Sequence, residues 1–374
     1  MWNFYKGDFV GLKKYIKEVK RNFAKVIFDK RASQNVALDF ANVKKIVFLR
    51  HDDKLGDMII STILFREIKK ARPDIKLIVL SGKNNKEIIE ANPYVDEICE
   101  WSRASVLKNI KTLWALRKQK IDVAVDFYIF KPMLAALFIL RFVNAAFNIG
   151  FNKKGYNLYS HALNVDINNT HISLRYKALL DYLGIKTDNL KYEIFLMPEE
   201  EDKAQEFIKH IKQKHKIVLN PFAASRHRTF SNVKIMNIIE GIKAQIPDSA
   251  VIIISPLRRR NSVQNLHSYY KDFVFTPMLN TARDACAIVK YSSLMITPDT
   301  SLVHAARAYN SKMVAVYLDY SNTSEKINEV WGAQYDNAIS LNVNSEGSWL
   351  KNNVDSIDTQ LLIDTVKELL YKQG

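Results

Sequence analysis

The feature that most constrains the fold is a repeated alternation of short apolar runs with helical patterns. Residues 45–50, 77–80, 95–101 and 121–127 have the composition of buried strands, and amphipathic helical patterns lie between them. The alternation resumes at residues 216–219 and continues through 313–317. Strands and helices that alternate at this spacing are typical of parallel sheets covered by helices on both faces. The sequence therefore predicts an α/β protein with two doubly wound halves facing a central cleft.

The predicted boundary between the halves lies within residues 185–215, which contain no strong strand pattern. We predict an N-terminal basic amphipathic helix and link over residues 1–43, a first half over 44–190 and a second half over 191–355. Residues 356–374 are predicted to form a helix that packs back across the junction. A chain of 374 residues is longer than one core usually supports, which agrees with two domains.

The net charge of +16 favours an anionic partner: nucleic acid, a membrane surface or an acidic substrate. Residues 1–31 hold nine Lys/Arg against three Asp/Glu. Their apolar residues recur at helical spacing, which suits either the cytoplasmic face of an anionic inner membrane or packing on the protein's own core. These residues are Leu12, Tyr15, Ile16, Val19, Phe23, Val26 and Ile27. We expect no nucleic acid partner, because no zinc finger, aromatic RNA signature or helix-turn-helix pattern is recognisable.

The two cysteines, Cys99 and Cys286, lie far apart in the sequence. They provide neither a disulfide framework nor zinc-ligand spacing, so a reducing compartment is expected. The N-terminus lacks the layout of a secretory signal, and no apolar run approaches the roughly 18 residues that span a bilayer. These observations predict a cytoplasmic protein.

The first of three informative strand-to-helix turns runs over residues 50–57 and ends in Gly56-Asp57. Asp57 is either a helix N-cap or a carboxylate at the cleft that takes a proton from a hydroxyl nucleophile. The spacing alone leaves both interpretations open.

The other two turns suit an anion. Residues 220–230 place small residues and a serine before Arg226 and Arg228, which is either a solvated basic loop or a phosphate site with a bidentate guanidinium. Residues 297–301 lead from a buried strand into a helix capped by Asp299 or Thr300, whose positive dipole end attracts anions. His304, one turn further, is either a packed core residue or part of this site. Ligands of open parallel sheets bind at such turns.

Four segments in order resemble glycosyltransferase family 9, the ADP-heptose:lipopolysaccharide heptosyltransferases. They are Leu-Gly-Asp at 55–57, Asn-Pro-Tyr-Val-Asp-Glu-Ile at 92–98, Asn-Pro followed by small residues and Arg at 220–228, and Asp-Thr-Ser-Leu-Val-His-Ala-Ala at 299–306. The resemblance covers residues 44–317. It implies the GT-B architecture, in which two Rossmann-like domains face each other and the C-terminal one binds the nucleotide-sugar.

The resemblance also implies site residues. Asp57 matches the catalytic base, Ser225 and Arg228 match residues at the donor diphosphate, and the donor-binding turn matches Asp299, Thr300 and Ser301, followed by His304. Three departures concern donor geometry: Ser301 stands where the family usually has Gly, Phe230-Ser231 replaces Trp-Pro, and the spacing from Arg50 to Asp57 is one residue longer than is common.

The reaction implied is an inverting transfer of heptose from ADP-heptose to the anionic inner core of lipopolysaccharide or lipooligosaccharide, with no metal and no cofactor besides the donor. Two alternatives remain at this stage. One is a family member that uses another nucleotide-sugar, such as a UDP-sugar, for a bacterial surface glycan. The other is an inactive GT-B protein that binds polyanions.

Overall fold

The computed structural model describes residues 18–19, 22–23, 25–29, 37–129, 132–319, 327–344 and 353–372. Two six-stranded parallel sheets dominate these residues, each with helices on both faces. The predicted α/β architecture with two facing halves is confirmed.

The first sheet has the strand order β3-β2-β1-β4-β5-β6, which reverses direction between β1 and β4. Its strands are β1 Lys45–Arg50, β2 Lys76–Ser81, β3 Glu97–Glu100, β4 Val123–Asp126, β5 Phe147–Phe151 and β6 His161–Leu163. The helices of this half are α1 Leu55–Ala71, α2 Val106–Lys118, α3 Leu134–Val143 and α4 Ile172–Tyr182.

The second sheet repeats this arrangement in the order β12-β11-β10-β7-β8-β9, with the reversal between β7 and β10. Its strands are β7 His215–Leu219, β8 Ser249–Ile253, β9 Val274–Phe275, β10 Leu294–Pro298, β11 Met313–Asp319 and β12 Ala338–Asn344. The helices are α5 Pro198–His210, α6 Asn232–Gln245, α7 Arg260–Tyr269, α8 Ala282–Tyr291, α9 Ser301–Tyr309, α10 Ile327–Trp331 and α11 Thr359–Tyr371.

Alternating side chains on each strand supply two different cores. On β1, Ile46 and Phe48 join a large apolar cluster between the sheets, whereas Val47 and Leu49 face an outer cluster under α2 and α3. The large cluster continues through the junction into the second half, because it includes Met295 of β10. The two halves are therefore joined by a shared apolar core.

Polar contacts reinforce the junction. Arg66 of α1 donates hydrogen bonds to the carbonyls of Asn189 and Lys191, both at 2.7 Å. Arg283 of α8 is buried, lies 3.2 Å from the Glu90 carboxylate of the first half and pairs with Glu200 of α5. These contacts fix the orientation of the two sheets around the cleft.

The C-terminal helix packs differently from the sequence-based prediction, and the N-terminal segment is described only in part. The C-terminal helix α11 packs against α6 and strands β10 to β12, so it covers the outer face of the second sheet instead of crossing back over the junction. Its buried side chains are apolar or small, and the apolar ones join the cluster on the outer face of the second sheet. In the N-terminal segment Leu12, Tyr15 and Ile16 lie outside the described residues, and all described positions from 18 to 28 are helical.

Among the described residues no helix combines the length and the hydropathy that a bilayer crossing requires.

Candidate active site

A cavity of about 680 Å³ lies between the halves, where turns that follow β1, β2, β7 and β10 converge. Six of the seven residues singled out from the sequence line it: Asp57, Arg228, Asp299, Thr300, Ser301 and His304. Its remaining lining is Asp53, Lys54, Leu55, Gly56, Asn84, Phe222, Ala223, Ala224 and Trp331. The fold therefore brings a carboxylate from the first half to the turns of the second half.

Asp57 is the third residue of α1, and Lys54 occupies the N-cap position without a side-chain cap bond. The interpretation of Asp57 as the N-cap is therefore wrong. Its carboxylate lies 3.7 Å from Nη1 of Arg50 and 3.5 Å from Nζ of Lys54, and only 12% of its side chain is exposed. Two cations thus orient a mostly buried carboxylate at the cavity wall.

Arg50 is held in place from several sides. It donates hydrogen bonds to the Tyr176 hydroxyl at 3.2 Å and to the Asp57 carbonyl at 3.3 Å, and its guanidinium lies over the Phe127 ring. Burial disfavours its charged form, but the neighbouring Asp52, Tyr176 and Asp57 raise the pKa of Arg50 above its ordinary value. Arg50 therefore remains a fixed cation behind Asp57.

Thr300 is the N-cap of α9, and its hydroxyl accepts a hydrogen bond from the backbone N–H of Leu302 at 3.3 Å. Asn220, at the end of β7, donates from its side-chain amide to the hydroxyls of Thr297 at 2.8 Å and Thr300 at 3.0 Å. This network fixes the helix start, whose positive dipole end faces the cavity.

Arg228 and Asp299 form an ion pair across the two turns of the second half. Nη1 of Arg228 also lies 3.4 Å from the Asp299 carbonyl, so the guanidinium is tied to the start of α9. About a third of the Arg228 side chain remains exposed. The guanidinium is therefore oriented but still accessible from the cavity.

His304 sits at the contact between α1 and α9. A Cβ placed on Gly56 would lie 2.8 Å from its Cδ2, so the absence of a side chain at Gly56 lets the two helices meet. Burial lowers the pKa of His304 to about 4, although Asp299 and Asp57 act in the opposite direction. The imidazole is therefore neutral at neutral pH and packs edge-on against Tyr192.

Ser225 and Ser301 each differ in one respect from what the sequence predicted for the donor site. Ser225 is not among the residues that line the cavity, and its carbonyl accepts a hydrogen bond from the Thr229 hydroxyl at 3.0 Å. Ser301, the first residue of α9, is not among the residues with positive φ, so the turn does not need glycine for that reason. Ser231, which stands in place of a proline, caps α6 by accepting from the N–H of Lys234.

A second cavity of about 370 Å³ adjoins the first and shares Phe222, Ala223 and Thr300 with it. It extends to the loop after β8 and the start of α8, where Ile254, Leu257 and Leu279 provide apolar walls. Asn280 and Thr281 add polar groups at its edge. A slot of this kind suits a flat aromatic group attached to an anion held in the main cavity.

Asn220, Asn84 and Trp331 are among the lining residues that sequence reasoning did not single out. Asn220 was within the second turn, and its position directly after a buried strand was the available signal. Asn84 and Trp331 enter the main cavity from segments without a distinctive pattern, so only the tertiary structure identifies them. Within the described ranges, no three His, Cys, Asp or Glu residues are grouped as a metal site requires.

Comparison with known proteins identifies the family and the fold of the chain. The family model of glycosyltransferase family 9 (heptosyltransferase) matches residues 111–348, more than half of the chain, although Asp57 lies before the matched segment. A curated relative in Escherichia coli (strain K12), provisionally named lipopolysaccharide heptosyltransferase 4, is 24% identical over 364 residues and 95% of each chain.

Two solved structures share the fold. The glycosyl transferase family 9 protein from Veillonella parvula superposes with a TM-score of 0.73 at 17% identity, over 91% of this chain and 100% of that one. The E. coli ADP-heptose lipopolysaccharide heptosyltransferase II gives a TM-score of 0.69 at 15% identity, over 87% and 98%. Both likenesses show the two-domain GT-B architecture.

Proposed function

This chain belongs to glycosyltransferase family 9, the heptosyltransferase family, and on that premise we propose that it transfers a heptose from ADP-heptose to the inner core of lipopolysaccharide, with Asp57 as the general base. Family membership makes it a glycosyltransferase. The donor, the acceptor and the base are our proposal. The observation that carries it is the single cavity lined by Asp57 from one half and by Arg228, Asp299 and the start of α9 from the other.

The proposed reaction is a single displacement with inversion. An acceptor hydroxyl loses its proton to the Asp57 carboxylate while its oxygen forms a bond to the anomeric carbon of the donor. The bond from that carbon to the diphosphate oxygen breaks on the opposite face. Nucleoside diphosphate leaves with the bonding pair, and the proton stays on Asp57 until solvent removes it.

In the proposed reaction, residues of the second half stabilise the negative charge that develops on the diphosphate. Negative charge grows on the diphosphate as it leaves, and the Arg228 guanidinium and the dipole of α9 are oriented before the reaction begins. The ion pair with Asp299 restrains Arg228, which reduces the reorganisation needed to reach the phosphates. Two groups of the second half thus supply positive potential at the leaving group.

The adjoining cavity supports a nucleoside diphosphate donor. Its apolar walls suit a nucleobase, and its shared boundary at Thr300 continues toward Arg228, where the diphosphate would lie. The likeness to an ADP-heptose lipopolysaccharide heptosyltransferase favours adenine as the base and heptose as the sugar.

The test is a transfer assay with purified protein, ADP-heptose and a heptose-deficient core acceptor, analysed by mass spectrometry. We expect an acceptor mass increase of one heptose and release of ADP. Calorimetric titration with ADP, UDP and GDP then compares the bases. A preference for UDP would retain glycosyl transfer but replace the proposed donor, and failure to bind any nucleotide would contradict the proposal.

A further inference from the structure

Three neighbouring helices form one continuous outer surface on the first half, on the side of the sheet that faces away from the second half. They are the N-terminal helical segment, α3 and α2. Phe28 contacts Phe138 at 5.6 Å, Phe138 contacts Phe142 at 6.0 Å, and Phe142 contacts Trp114 at 5.7 Å between ring centroids. This aromatic chain connects the helices side by side.

The end of the N-terminal segment is anchored to this surface. The buried Asp29 accepts a hydrogen bond from the backbone N–H of Leu158 at 2.6 Å. Nζ of Lys25 lies 4.7 Å from the centroid of the Tyr156 ring. The segment therefore presents a defined side to the exterior.

Large apolar side chains point outward from all three helices. Leu107 is 75% exposed and Val26 is 70% exposed, although soluble proteins rarely group such residues on one face. We call this set the outer face; it comprises Val19, Phe23, Val26, Ile27, Val106, Leu107, Trp114 and Leu134. The N-terminal residues of the outer face recur at helical spacing, so the apolar side of the predicted amphipathic helix points away from the protein at these positions.

The positive charge of the chain is concentrated in the same segments. Residues 101–165 contain ten Lys/Arg and two Asp/Glu, and residues 1–31 contain nine and three. Together these segments have an excess of fourteen positive charges out of the net +16. Asp126 is buried beside the buried Lys153, with Nζ 3.8 Å from its carboxylate, so this pair removes one charge of each sign from the exposed surface.

We propose that the outer face docks on the surface of an anionic lipid bilayer. Exposed apolar side chains insert at the boundary of headgroups and acyl chains, while the surrounding Lys and Arg bind lipid phosphates. Trp114 suits this boundary because its indole is amphipathic. The proposal deepens the proposed function and rests on it for the acceptor, which is a lipid-linked glycan.

The outer face also reaches the cavity. α2 and α3 follow strands of a parallel sheet, so each begins at the edge where the cleft lies, and Val106, Leu107 and Leu134 lie near these starts. Arg103 donates a hydrogen bond to the Asp52 carbonyl at 2.9 Å and so links the start of α2 to the turn that carries Asp57. Docking through this face brings the cavity close to a glycan that emerges from the bilayer.

Flotation of the full-length protein with vesicles tests the proposal. We expect the wild type to float with vesicles that contain phosphatidylglycerol and much less with pure phosphatidylcholine, with the difference reduced by salt. The double substitution Phe23→Asp and Leu107→Asp should lower the bound fraction about tenfold or more, because it removes two apolar anchors and adds negative charge. Val233→Asp is the matched control, since Val233 is 68% exposed on α6 of the second half.

Equal flotation of the double variant and the wild type would overturn the proposal, as would equal loss in Val233→Asp. Self-association through this face without flotation would also overturn it and assign the face to a second copy. Circular dichroism and thermal unfolding check that each variant is folded. Flotation does not depend on sugar transfer, so it tests membrane docking even if the proposed function is wrong. If transfer occurs, the double variant should keep activity on a lipid-free core acceptor and lose it on an acceptor embedded in vesicles.

Discussion

The starts of α1 and α9 occupy similar places in the two halves, yet they serve opposite charges. Each helix follows a strand beside the point where the strand order of its sheet reverses. At α1 the cap position is Lys54 without a cap bond, and the carboxylate of Asp57 lies between two cations. At α9 a hydroxyl network through Thr300 fixes the helix start, and the positive dipole end and Arg228 lie at the cavity.

The comparison teaches that equivalent backbone positions acquire different chemistry from a few side chains. In the proposed reaction one start accepts a proton and the other holds the leaving group, and the two helices meet directly at Gly56 and His304. If this division is correct, substitutions at one start should affect turnover, and substitutions at the other should affect donor binding.

Asp57→Asn should separate the two roles most clearly. The amide keeps the shape of the side chain but cannot take a proton, so we expect kcat for heptose transfer to fall by about a thousandfold. The Kd for ADP should stay within about twofold, because the proposed donor contacts belong to the other half. Turnover near the wild-type rate would show that Asp57 is not the base.

Arg228→Ala should weaken ADP binding by about tenfold to a hundredfold, the loss typical of a charge-assisted hydrogen bond. Calorimetry measures this directly. Arg226→Ala is the matched control, because Arg226 is exposed and absent from the cavity lining. Similar losses in both variants would indicate general electrostatic attraction instead of a defined contact.

The buried His304 predicts a loss of stability in acid. Its folded-state pKa of about 4 lies below the unfolded value near 6.5, so the unfolded chain binds more protons between these values and stability falls as pH drops through this window. At about pH 5 this amounts to about 2 kcal/mol relative to about pH 7.5.

Denaturant unfolding at both pH values should therefore show a smaller acid loss for His304→Gln than for the wild type. His210→Gln serves as the control, since His210 is exposed on α5. An unchanged acid loss in His304→Gln would assign the pH dependence to other groups.

Gly56→Ala tests the contact between the two helix starts. The added Cβ meets His304, and we expect a net loss of about 1 kcal/mol in unfolding free energy after the helix propensity gained by Ala. In a His304→Ala background the same substitution should become neutral or stabilising. Equal effects in both backgrounds would mean that the contact does not limit the approach of the halves.

Sequence patterns predicted most of the fold because the central strands are almost wholly apolar and their helices are amphipathic. The strands β6 and β12 and the helices α7 and α10 were missed. β6 has three residues, α10 has five and α7 buries only Val263, whereas the edge strand β12 was overlooked although its apolar and polar residues alternate. The helix α5 falls within the predicted junction, where a mostly exposed, acidic sequence gives little periodic signal. Elements at the edges of the sheets depend on tertiary packing more than on local pattern.

The candidate site was predictable where residues share a turn and unpredictable where they meet through the fold. Asp299 and Thr300 follow directly from the strand-to-helix pattern, and the residues around Arg228 from a second such turn. The burial of His304 against Gly56 joins segments about 250 residues apart, which no local pattern encodes. Ser225 was carried over by resemblance alone and lies outside the cavity lining.

The apolar core shared by the two halves limits how enzymes of this architecture are re-engineered. Exchanging one half for that of a relative would join surfaces from different parents along this core, and mismatched packing there commonly costs about 1–3 kcal/mol per overpacked site. The turn after β7 contributes to both cavities, and none of its residues belongs to this shared cluster. Grafting that turn is therefore the safer route to a chimera with a new donor.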